Sequence, residues 1–346
     1  MRILIYRLGS LGDTVMALPC FHLIRRAYPT AHITVLTNAP ISGKAAPLEA
    51  VLQNSGLIDA VLHYPLGLRD PEKLLRLRAT LHQQRFDLLI SLTAPRGLMA
   101  SIRDYLFFKA CGISKIIGIP FAKRDLVCQQ LADDSGFESE ALRLLRRIHT
   151  LGHADLKDKH WHDLRLTPDE IAEAKRLLAE AGIEGKFFTA SLGTKSPLKD
   201  WGAANWSRLL AELSSAHPGY SLVLLGSADE FEPSEMLLAS WKGTRANLCG
   251  KTSARISAAL LREARLFVGH DSGPMHLADA VDTRCLTIYS AQAPPGQWFP
   301  LGTEHINLYP RSFFDPQRTT DLDYQHRAIS SITVNEVLLA IRRCLD

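Results

Sequence analysis

The stretch Ile3-Leu-Ile-Tyr-Arg-Leu-Gly9-Ser-Leu-Gly12-Asp13-Thr14 decides the fold of the first half of the chain. It begins with an apolar, β-branched run, passes through a loop with two glycines and continues into a segment of helical period. Glycines between a strand and a helix let the backbone approach a ligand closely, and the helix N-terminus offers free N–H groups that suit an anion. The stretch therefore predicts a strand, a binding loop and a helix of a parallel α/β sheet.

A second element of the same kind is Leu266-Phe-Val-Gly-His-Asp271-Ser-Gly273-Pro274-Met-His276. Around each element, short apolar runs alternate with helical-period segments, and the pattern restarts at a helix opened by Thr167-Pro168. This predicts two doubly wound, Rossmann-like α/β domains, residues 1–165 and 166–332. We expect a last helix at about 333–346 to pack back on the first domain. Because ligands of open α/β sheets bind beyond the carboxyl ends of the strands, we expect the two loops to share a cleft.

Composition places the chain among soluble globular proteins. Of its 346 residues 46% are hydrophobic and 22% are charged, and its apolar runs are too short to cross a bilayer. With no recognisable signal segment, a cytoplasmic location is expected. The six cysteines are scattered without zinc-type spacing, so we expect reduced thiols, mostly buried, and no metal site.

Charge is unevenly distributed between the two halves. Residues 1–165 hold 22 Lys and Arg against 15 Asp and Glu, net +7, whereas residues 166–346 are net −3. The basic half could face phosphates, nucleic acid or an anionic membrane, or it could simply be a solvated surface. Nucleic acid is disfavoured because the basic residues form no stripe interleaved with aromatic side chains.

Two familiar nucleotide motifs are incomplete. A dinucleotide fold needs an acidic residue at the end of its second strand, where this chain has Leu36-Thr37-Asn38. The segment Cys249-Gly-Lys-Thr252 resembles the end of a P-loop. A P-loop also has a glycine five residues before the position of Gly250, where this chain has Arg245. Oxidoreductase chemistry thus remains only a remote alternative, and the second segment is not a Walker motif.

Four segments occur in an order that resembles the family 9 glycosyltransferases, the lipopolysaccharide heptosyltransferases and their relatives. They are RLGSLGD at residues 7–13, Lys199-Asp-Trp201 after Gly193-Thr194, Asn247-Leu-Cys-Gly-Lys-Thr-Ser253 and Asp271-Ser-Gly-Pro-Met-His-Leu-Ala278. The resemblance covers nearly the whole chain. It implies a GT-B fold with two domains facing a central cleft, and inverting transfer from a nucleotide sugar, typically ADP-L-glycero-β-D-manno-heptose. It also implies no metal or other cofactor, and an inner-core lipopolysaccharide acceptor of the lipid A–Kdo type.

The resemblance also implies catalytic roles. Asp13 matches the family's base, which takes the proton of the attacking hydroxyl. A helix cap or first-turn acid is its structural alternative. Lys199 matches the lysine that would neutralise the departing diphosphate, with Thr194 and Lys195 beside it. It could instead be one exposed lysine among many.

The remaining donor residues follow from the same resemblance. Ser272 and Gly273 would meet the pyrophosphate through backbone N–H groups, and Asp271 would orient that loop, bind sugar hydroxyls or act only as a helix cap. His276 would either brace the loop or contact the ligand. Glu230, with Asp229 as second choice, would bind the ribose. The segment Gly250-Lys251-Thr252 would border the base, or it is a turn with an exposed lysine.

Acceptor recognition is expected in the basic first domain. The expected acceptor-binding residues are Gly9, Ser10, Gly12, Arg96 and Arg124. Further basic candidates are Arg103 and Lys123, and Arg143, Arg146 and Arg147 on a helix whose Leu142, Leu145 and Ile148 are expected to face inward. Arginines suit the phosphates and carboxylates of such an acceptor. We therefore expect peripheral contact with the anionic cytoplasmic face of the inner membrane.

Alternatives of two kinds remain open. The segment Ser290-Ala-Gln-Ala-Pro294 lacks the glycine common in relatives, so a different nucleotide sugar could be the donor. A two-domain protein that binds or epimerises a nucleotide sugar without transferring it is the alternative from another functional class.

Overall fold

The computed structural model describes residues 1–38, 47–65, 70–132, 135–194 and 196–345. The chain divides into two compact units, Met1–Arg165 and Leu166–Asp346. Each unit contains one sheet whose paired strands all run parallel, with helices in the connections. Lys195, predicted to bind the donor, lies outside the described residues.

The first unit has a five-stranded sheet. Its strands are β1 (Arg2–Tyr6), β2 (His32–Asn38), β3 (Ala60–Tyr64), β4 (Leu88–Ser91) and β5 (Lys115–Ile117). Its helices are α1 (Leu11–Met16), α2 (Leu18–Ala27), α3 (Glu49–Leu52), α4 (Pro71–Gln83), α5 (Leu98–Ala110) and α6 (Glu140–Arg147). The strand order is β3-β2-β1-β4-β5, so the winding direction reverses between β1 and β4. This reversal is the topological switch point at which α/β sheets bind ligands.

The second unit has a six-stranded sheet. Its strands are β6 (Phe187–Ser191), β7 (Ser221–Leu224), β8 (Arg245–Asn247), β9 (Leu266–His270), β10 (Cys285–Ile288) and β11 (Ile306–Leu308). Its helices are α7 (Pro168–Glu180), α8 (Ala203–Ala216), α9 (Phe231–Leu238), α10 (Ala254–Glu263), α11 (Gly273–Ala280), α12 (Leu322–Ser330) and α13 (Val334–Leu345). The order β11-β10-β9-β6-β7-β8 places the switch point between β6 and β9.

The central strands are apolar because helices cover both faces of a parallel sheet. In β1, Ile3, Leu4 and Ile5 are fully buried, and the second unit adds a core containing Trp201 and Trp206. The prediction of doubly wound α/β units is confirmed. Within the described residues, no helix combines the length and apolarity needed to cross a bilayer.

The expectation that the last helix packs on the first domain is wrong. The buried face of α13 includes Val337 and Ile341, which belong to the same apolar cluster as Leu286 and Ile288 of β10. Apolar residues at helical spacing need a covering surface, and the second unit provides it.

The predicted inward face of α6 is also partly wrong. Leu142 is 41% exposed, whereas Arg143 and Arg147 are buried. The Arg143 guanidinium donates to both carboxylate oxygens of Glu140, and Arg147 donates to backbone carbonyls that include that of Thr93. The buried charge of Arg143 is tolerated because it is paired with Glu140, and that of Arg147 because carbonyl groups accept its hydrogen bonds, so these two arginines hold the fold together instead of facing an acceptor.

Candidate active site

The glycine loop of the first unit holds Asp13 at the carboxyl end of β1. Ser10 is the N-cap of α1 and Asp13 is the third residue of that helix. The Ser10 backbone N–H and hydroxyl donate to Asp13 Oδ2 at 2.9 and 3.1 Å. The Asp13 side chain nevertheless remains 28% exposed. Asp13 therefore has a helix-capping role and still presents a carboxylate to solvent.

Arg7 fixes this loop from behind. Its buried guanidinium donates to the backbone carbonyls of Asp13 and Leu92, and so connects the loops after β1 and β4. Its Nη2 lies 3.7 Å from Asp13 Oδ1. Gly9 has φ +134°, and a Cβ there would lie 2.5 Å from the Asp13 Cβ. The loop thus requires glycine at this position and places the Asp13 carboxylate beside the first switch point.

Arg96 follows β4 at the same edge of the first sheet. Its guanidinium forms an ion pair with Asp104 and donates to the Tyr6 hydroxyl at 3.3 Å. The Tyr6 hydroxyl lies 2.7 Å from that of Tyr64, the last residue of β3. Arg124, the other predicted acceptor arginine, is exposed on a turn after the edge strand β5. Arg96 thus follows β4, the strand next to β1, whereas Arg124 follows the edge strand β5.

Lys199 and Asp271 meet at the switch point of the second unit. Lys199 follows β6 and Asp271 follows β9, and the Lys199 Nζ donates to Asp271 Oδ2 at 2.6 Å. Burial alone would raise the pKa of Asp271, but the charge of Lys199 and the nearby His276 side chain lower it to about 2. Lys199 is accordingly a paired residue of this site and not an isolated surface lysine.

The N-terminus of α11 adjoins this pair. Ser272 is its N-cap, so Asp271 lies one position before the cap. Among the described residues, the Ser272 hydroxyl and His276 Nδ1 are buried without a hydrogen-bond partner. The His276 Nε2 lies 3.7 Å from Asp271 Oδ1. Free backbone N–H groups of the first turn and two unpartnered polar atoms form an arrangement that can bind an anion.

His270 was not among the predicted site residues, although it supports them. It is fully buried, and burial lowers its pKa to about 4, so its imidazole is neutral. The Nδ1 donates to the Gly193 carbonyl at 3.4 Å, and the Nε2 accepts the Trp201 N–H at 3.2 Å. His270 thus connects β9 to both ends of the loop that contains Lys199. A histidine ending an otherwise apolar buried strand was the only available sequence signal.

Glu230 lies at the carboxyl ends of β6 and β7. Its carboxylate accepts the Ser227 N–H at 2.7 Å, and a Cβ at either Gly193 or Gly226 would overlap it. Asp229 instead accepts from the Ser227 hydroxyl. The Thr194 hydroxyl donates to the Ser196 carbonyl in the adjacent loop. The lack of side chains at Gly193 and Gly226 thus makes room for the Glu230 carboxylate. Glu230 therefore lies beside the loop that begins at Gly193 and contains Lys199, which the sequence alone does not show.

The segment Gly250-Lys251-Thr252 forms a turn beside this region. Gly250 has φ +72°, and its N–H donates to the Gly226 carbonyl at 2.9 Å. Lys251 is exposed, with its Nζ 4.7 Å from the centre of the Phe231 ring. The Thr252 and Ser257 hydroxyls are 2.7 Å apart. The predicted turn with an exposed lysine is present, next to the loop that carries Glu230.

A small cavity opens next to the Lys199–Asp271 pair. Aromatic and amide side chains line it, namely Tyr289, Gln292, Trp298, Phe299 and Tyr309. The Trp298 ring lies 6.3 Å from that of His276. This cavity was missed, because only the three-dimensional structure brings residues 289–309 to the end of β9. Within the described parts of the chain, no three His, Cys, Asp or Glu residues are grouped to hold a metal ion.

Two curated relatives are similar to the chain in sequence. Lipopolysaccharide heptosyltransferase 3 of Escherichia coli K12 is 22% identical, with 96% of this chain and 95% of that protein aligned. Lipopolysaccharide heptosyltransferase 2 of Salmonella typhimurium is 30% identical over 102 residues. That second match spans 28% of this chain and only 29% of the relative's length.

Two solved structures show the same fold. A family 9 glycosyltransferase from Veillonella parvula superposes with a TM-score of 0.77 at 18% identity, covering 99% of this chain and 97% of that one. E. coli heptosyltransferase WaaC with ADP-2-deoxy-2-fluoro heptose gives a TM-score of 0.64 at 18% identity, covering 99% of each chain. The predicted GT-B fold class is confirmed. The model of glycosyltransferase family 9 (heptosyltransferase) matches residues 74–317, well over half of the sequence, and the chain belongs to this family.

Proposed function

We propose that this protein transfers a heptose from ADP-heptose, with inversion, to the inner core of a lipid A–Kdo type lipopolysaccharide acceptor. The observation that carries the proposal is the Lys199–Asp271 pair beside the open N-terminus of α11, because this arrangement suits a departing diphosphate. The family supports the heptosyl group, and the ligand of the similar WaaC structure supports an ADP-linked donor.

Asp13 is the proposed base. In an inverting step the acceptor hydroxyl attacks the anomeric carbon, its proton passes to a carboxylate, and the bond from that carbon to the diphosphate breaks. The Ser10 N–H and Arg7 hold the Asp13 carboxylate in one orientation while it stays accessible. A fixed and accessible carboxylate is what proton transfer requires, and it typically contributes about 10²–10⁴-fold in rate.

Lys199 is the proposed cation for the leaving group. Of its three N–H donors, one bonds Asp271 Oδ2 and another approaches the Asp271 carbonyl at 3.4 Å, so one remains for a phosphate oxygen. Ser272, Gly273 and His276 would add further hydrogen-bond donors from the first turn of α11. We propose that these groups supply the charge stabilisation without a metal ion, so activity should survive chelation by EDTA.

The remaining donor contacts follow from the arrangement of the second unit. Glu230, rather than Asp229, would accept from the ribose hydroxyls because it occupies the groove between two glycines. The loop containing Thr194 and Lys195 would border the diphosphate. The turn formed by Gly250-Lys251-Thr252 would border the base. The cavity lined by Gln292 and Trp298 would hold the transferred sugar, since it adjoins the Lys199–Asp271 pair.

The acceptor is proposed to bind to the first unit. The loop residues Gly9, Ser10 and Gly12 surround Asp13, and Arg96 lies at the same sheet edge with guanidinium donors beyond those that Asp104 and Tyr6 use. Arg124 would contact more distant anionic groups. The enzyme is proposed to act on the cytoplasmic face of the inner membrane, in peripheral contact with anionic lipid.

The decisive experiment has two stages. First, the melting temperature is measured with ADP-heptose, UDP-N-acetylglucosamine and GDP-mannose, because a ligand at 100 times its Kd adds about 2.7 kcal/mol of stability. Second, the stabilising sugar nucleotide is incubated with and without a deacylated Kdo-containing acceptor. Release of ADP and the anomeric configuration of the product are followed by NMR.

Each outcome separates the alternatives. Stabilisation by ADP-heptose and a product of inverted configuration that needs the acceptor are expected. Stabilisation by a UDP-sugar alone would contradict the proposed donor. A donor altered without any acceptor would indicate an epimerase, and binding without turnover would indicate a nucleotide-sugar binding protein.

A further inference from the structure

Helix α5 carries an unusually exposed apolar face. Of its thirteen residues only Ser101 and Phe108 are buried, on one side of the helix. On the opposite side are large apolar side chains, including Met99 and Leu106, which are 78% and 61% exposed. Such contiguous apolar surface on a soluble protein marks an interaction site.

Phe121 extends this face. It is exposed, and its ring packs edge-on against Tyr105 of α5 with centroids 5.6 Å apart. We call the exposed apolar set of five residues the α5 apolar face. Its members are Leu98, Met99, Ile102, Leu106 and Phe121.

Basic side chains border the α5 apolar face. Arg103, 65% exposed and ion-paired with Asp104, lies at one edge of the face, Lys109 is exposed in the last turn of α5, and Lys123 and Arg124 follow Phe121 closely. Among the residues that the structure describes, Lys123 and Arg124 have no ion-pair partner. The net charge of +7 over residues 1–165 adds to the same positive field.

We propose that the α5 apolar face and its basic border dock the protein on an anionic lipid bilayer, with α5 lying in the headgroup region. Exposed Leu, Met and Phe side chains with Lys and Arg beside them are typical of surfaces that bind the membrane interface. Each basic residue near an anionic surface adds attraction equivalent to about fivefold in affinity. Protein interfaces are instead depleted in lysine around their apolar centres, which favours lipid over a protein partner here.

The α5 apolar face is thus the proposed membrane-contacting surface. The proposed function is needed here only to explain why the enzyme would bind a bilayer. It is tested by sedimentation of the purified protein with vesicles of phosphatidylcholine and phosphatidylglycerol, or of phosphatidylcholine alone. Met99→Glu combined with Leu106→Glu should lower binding to the mixed vesicles at least tenfold. Arg103→Ala and Lys123→Ala should each lower it about fivefold. Met236→Glu with Leu339→Glu, two exposed apolar residues of the second unit, is the matched control and should bind as the wild type does.

Three outcomes would overturn the proposal. They are undiminished vesicle binding by the Met99→Glu and Leu106→Glu variant, equal binding to vesicles without phosphatidylglycerol, and a wild-type dimer that this variant converts to a monomer. The last result would make the face a contact between copies of the chain. The same variant should retain heptosyl transfer to a deacylated, water-soluble acceptor. Absence of transfer in the wild type together with normal vesicle binding would contradict the proposed function and leave the docking surface intact.

Discussion

The Lys199 ammonium lies 2.6 Å from the Asp271 carboxylate although the two residues are 72 positions apart in the sequence. They follow β6 and β9, which are neighbours in the sheet, so the topology itself brings them to one switch point. Asp271 is only 8% exposed at its side chain and is ionised, with a pKa of about 2. Neither charge can therefore be removed without leaving the other in a largely desolvated position.

Lys199→Ala is expected to weaken donor binding and slow transfer together. Loss of the cation should cost about 10²-fold in kcat/KM, since fixed charges at the leaving group act mainly in the transition state. Unpairing Asp271 should also lower the free energy of unfolding by about 1–3 kcal/mol. Enzyme kinetics and urea denaturation measure the two effects separately.

A double variant separates the two roles of this lysine. Lys199→Met with Asp271→Asn removes both charges and should recover most of the lost stability without recovering turnover. Lys242→Ala, at an exposed lysine of the same unit, is the control and should change neither quantity. Unchanged donor affinity in Lys199→Ala would remove this residue from the diphosphate site.

Asp13→Asn is expected to abolish most turnover while preserving the fold. The amide cannot accept the proton of the acceptor hydroxyl, so kcat should fall by about 10²–10⁴-fold with donor affinity unchanged. Because the Asp13 carboxylate also stabilises the first turn of α1, loss of its charge should cost about 0.3–1 kcal/mol of stability.

Glu336→Gln provides the matched control for capping. Glu336 accepts the Thr333 N–H at 2.7 Å at the start of α13, as Asp13 accepts that of Ser10. The control should show a similar loss of stability and normal turnover. Near-normal turnover of Asp13→Asn would show that this residue only caps the helix.

The central strands were predictable because their apolar runs are fully buried. The strands β1 and β9 lie where the two glycine-loop stretches predict them. The sequence pattern predicts no strand at β3, β8 or β11. They lie at or near sheet edges and are less buried, so their sequences lack the continuous apolar run that identifies an inner strand.

The orientation of α6 could not be predicted for a different reason. Its sequence has arginines and leucines at compatible helical spacing, and ordinary burial preferences place the leucines inside. The buried acceptor Glu140 and the carbonyl acceptors of neighbouring loops reverse that preference for Arg143 and Arg147. Such partners are known only once the sheet has brought them together, and the same holds for the role of His270.

Acid should destabilise the second unit through His270. Its pKa is about 6.5 when unfolded and about 4 when folded, because burial disfavours the charged ring. Between these values the unfolded chain binds a proton that the native state excludes, so stability is complete above pH 6.5 and falls as the pH drops to 4. The shift corresponds to about 3 kcal/mol over that window, measurable by urea denaturation at several pH values.

His270→Gln should flatten this acid dependence. His22, buried in the first unit with a pKa also lowered to about 4, contributes a second and independent part. His22→Gln should therefore flatten the curve by a comparable amount, and the double variant should combine the two effects. If the stability of His270→Gln fell with decreasing pH as steeply as that of the wild type, His270 would have to be protonated in the folded protein.

Trp298→Ala should alter recognition of the sugar more than that of the nucleotide. The Trp298 ring forms a wall of the cavity beside Asp271 and packs near His276, whereas neither Glu230 nor the Gly250 turn lines this cavity. The KM for ADP-heptose should rise about tenfold, and discrimination against ADP-glucose should shrink, because lost apolar packing in a pocket costs about 1–3 kcal/mol. Affinity for ADP, measured by calorimetry, should change less than twofold, and Trp298→Phe should retain most of the discrimination between the two sugars.

An equal loss of affinity for ADP and for ADP-heptose in Trp298→Ala would mean that this cavity holds the nucleotide. The proposed positions of sugar and base would then have to be exchanged.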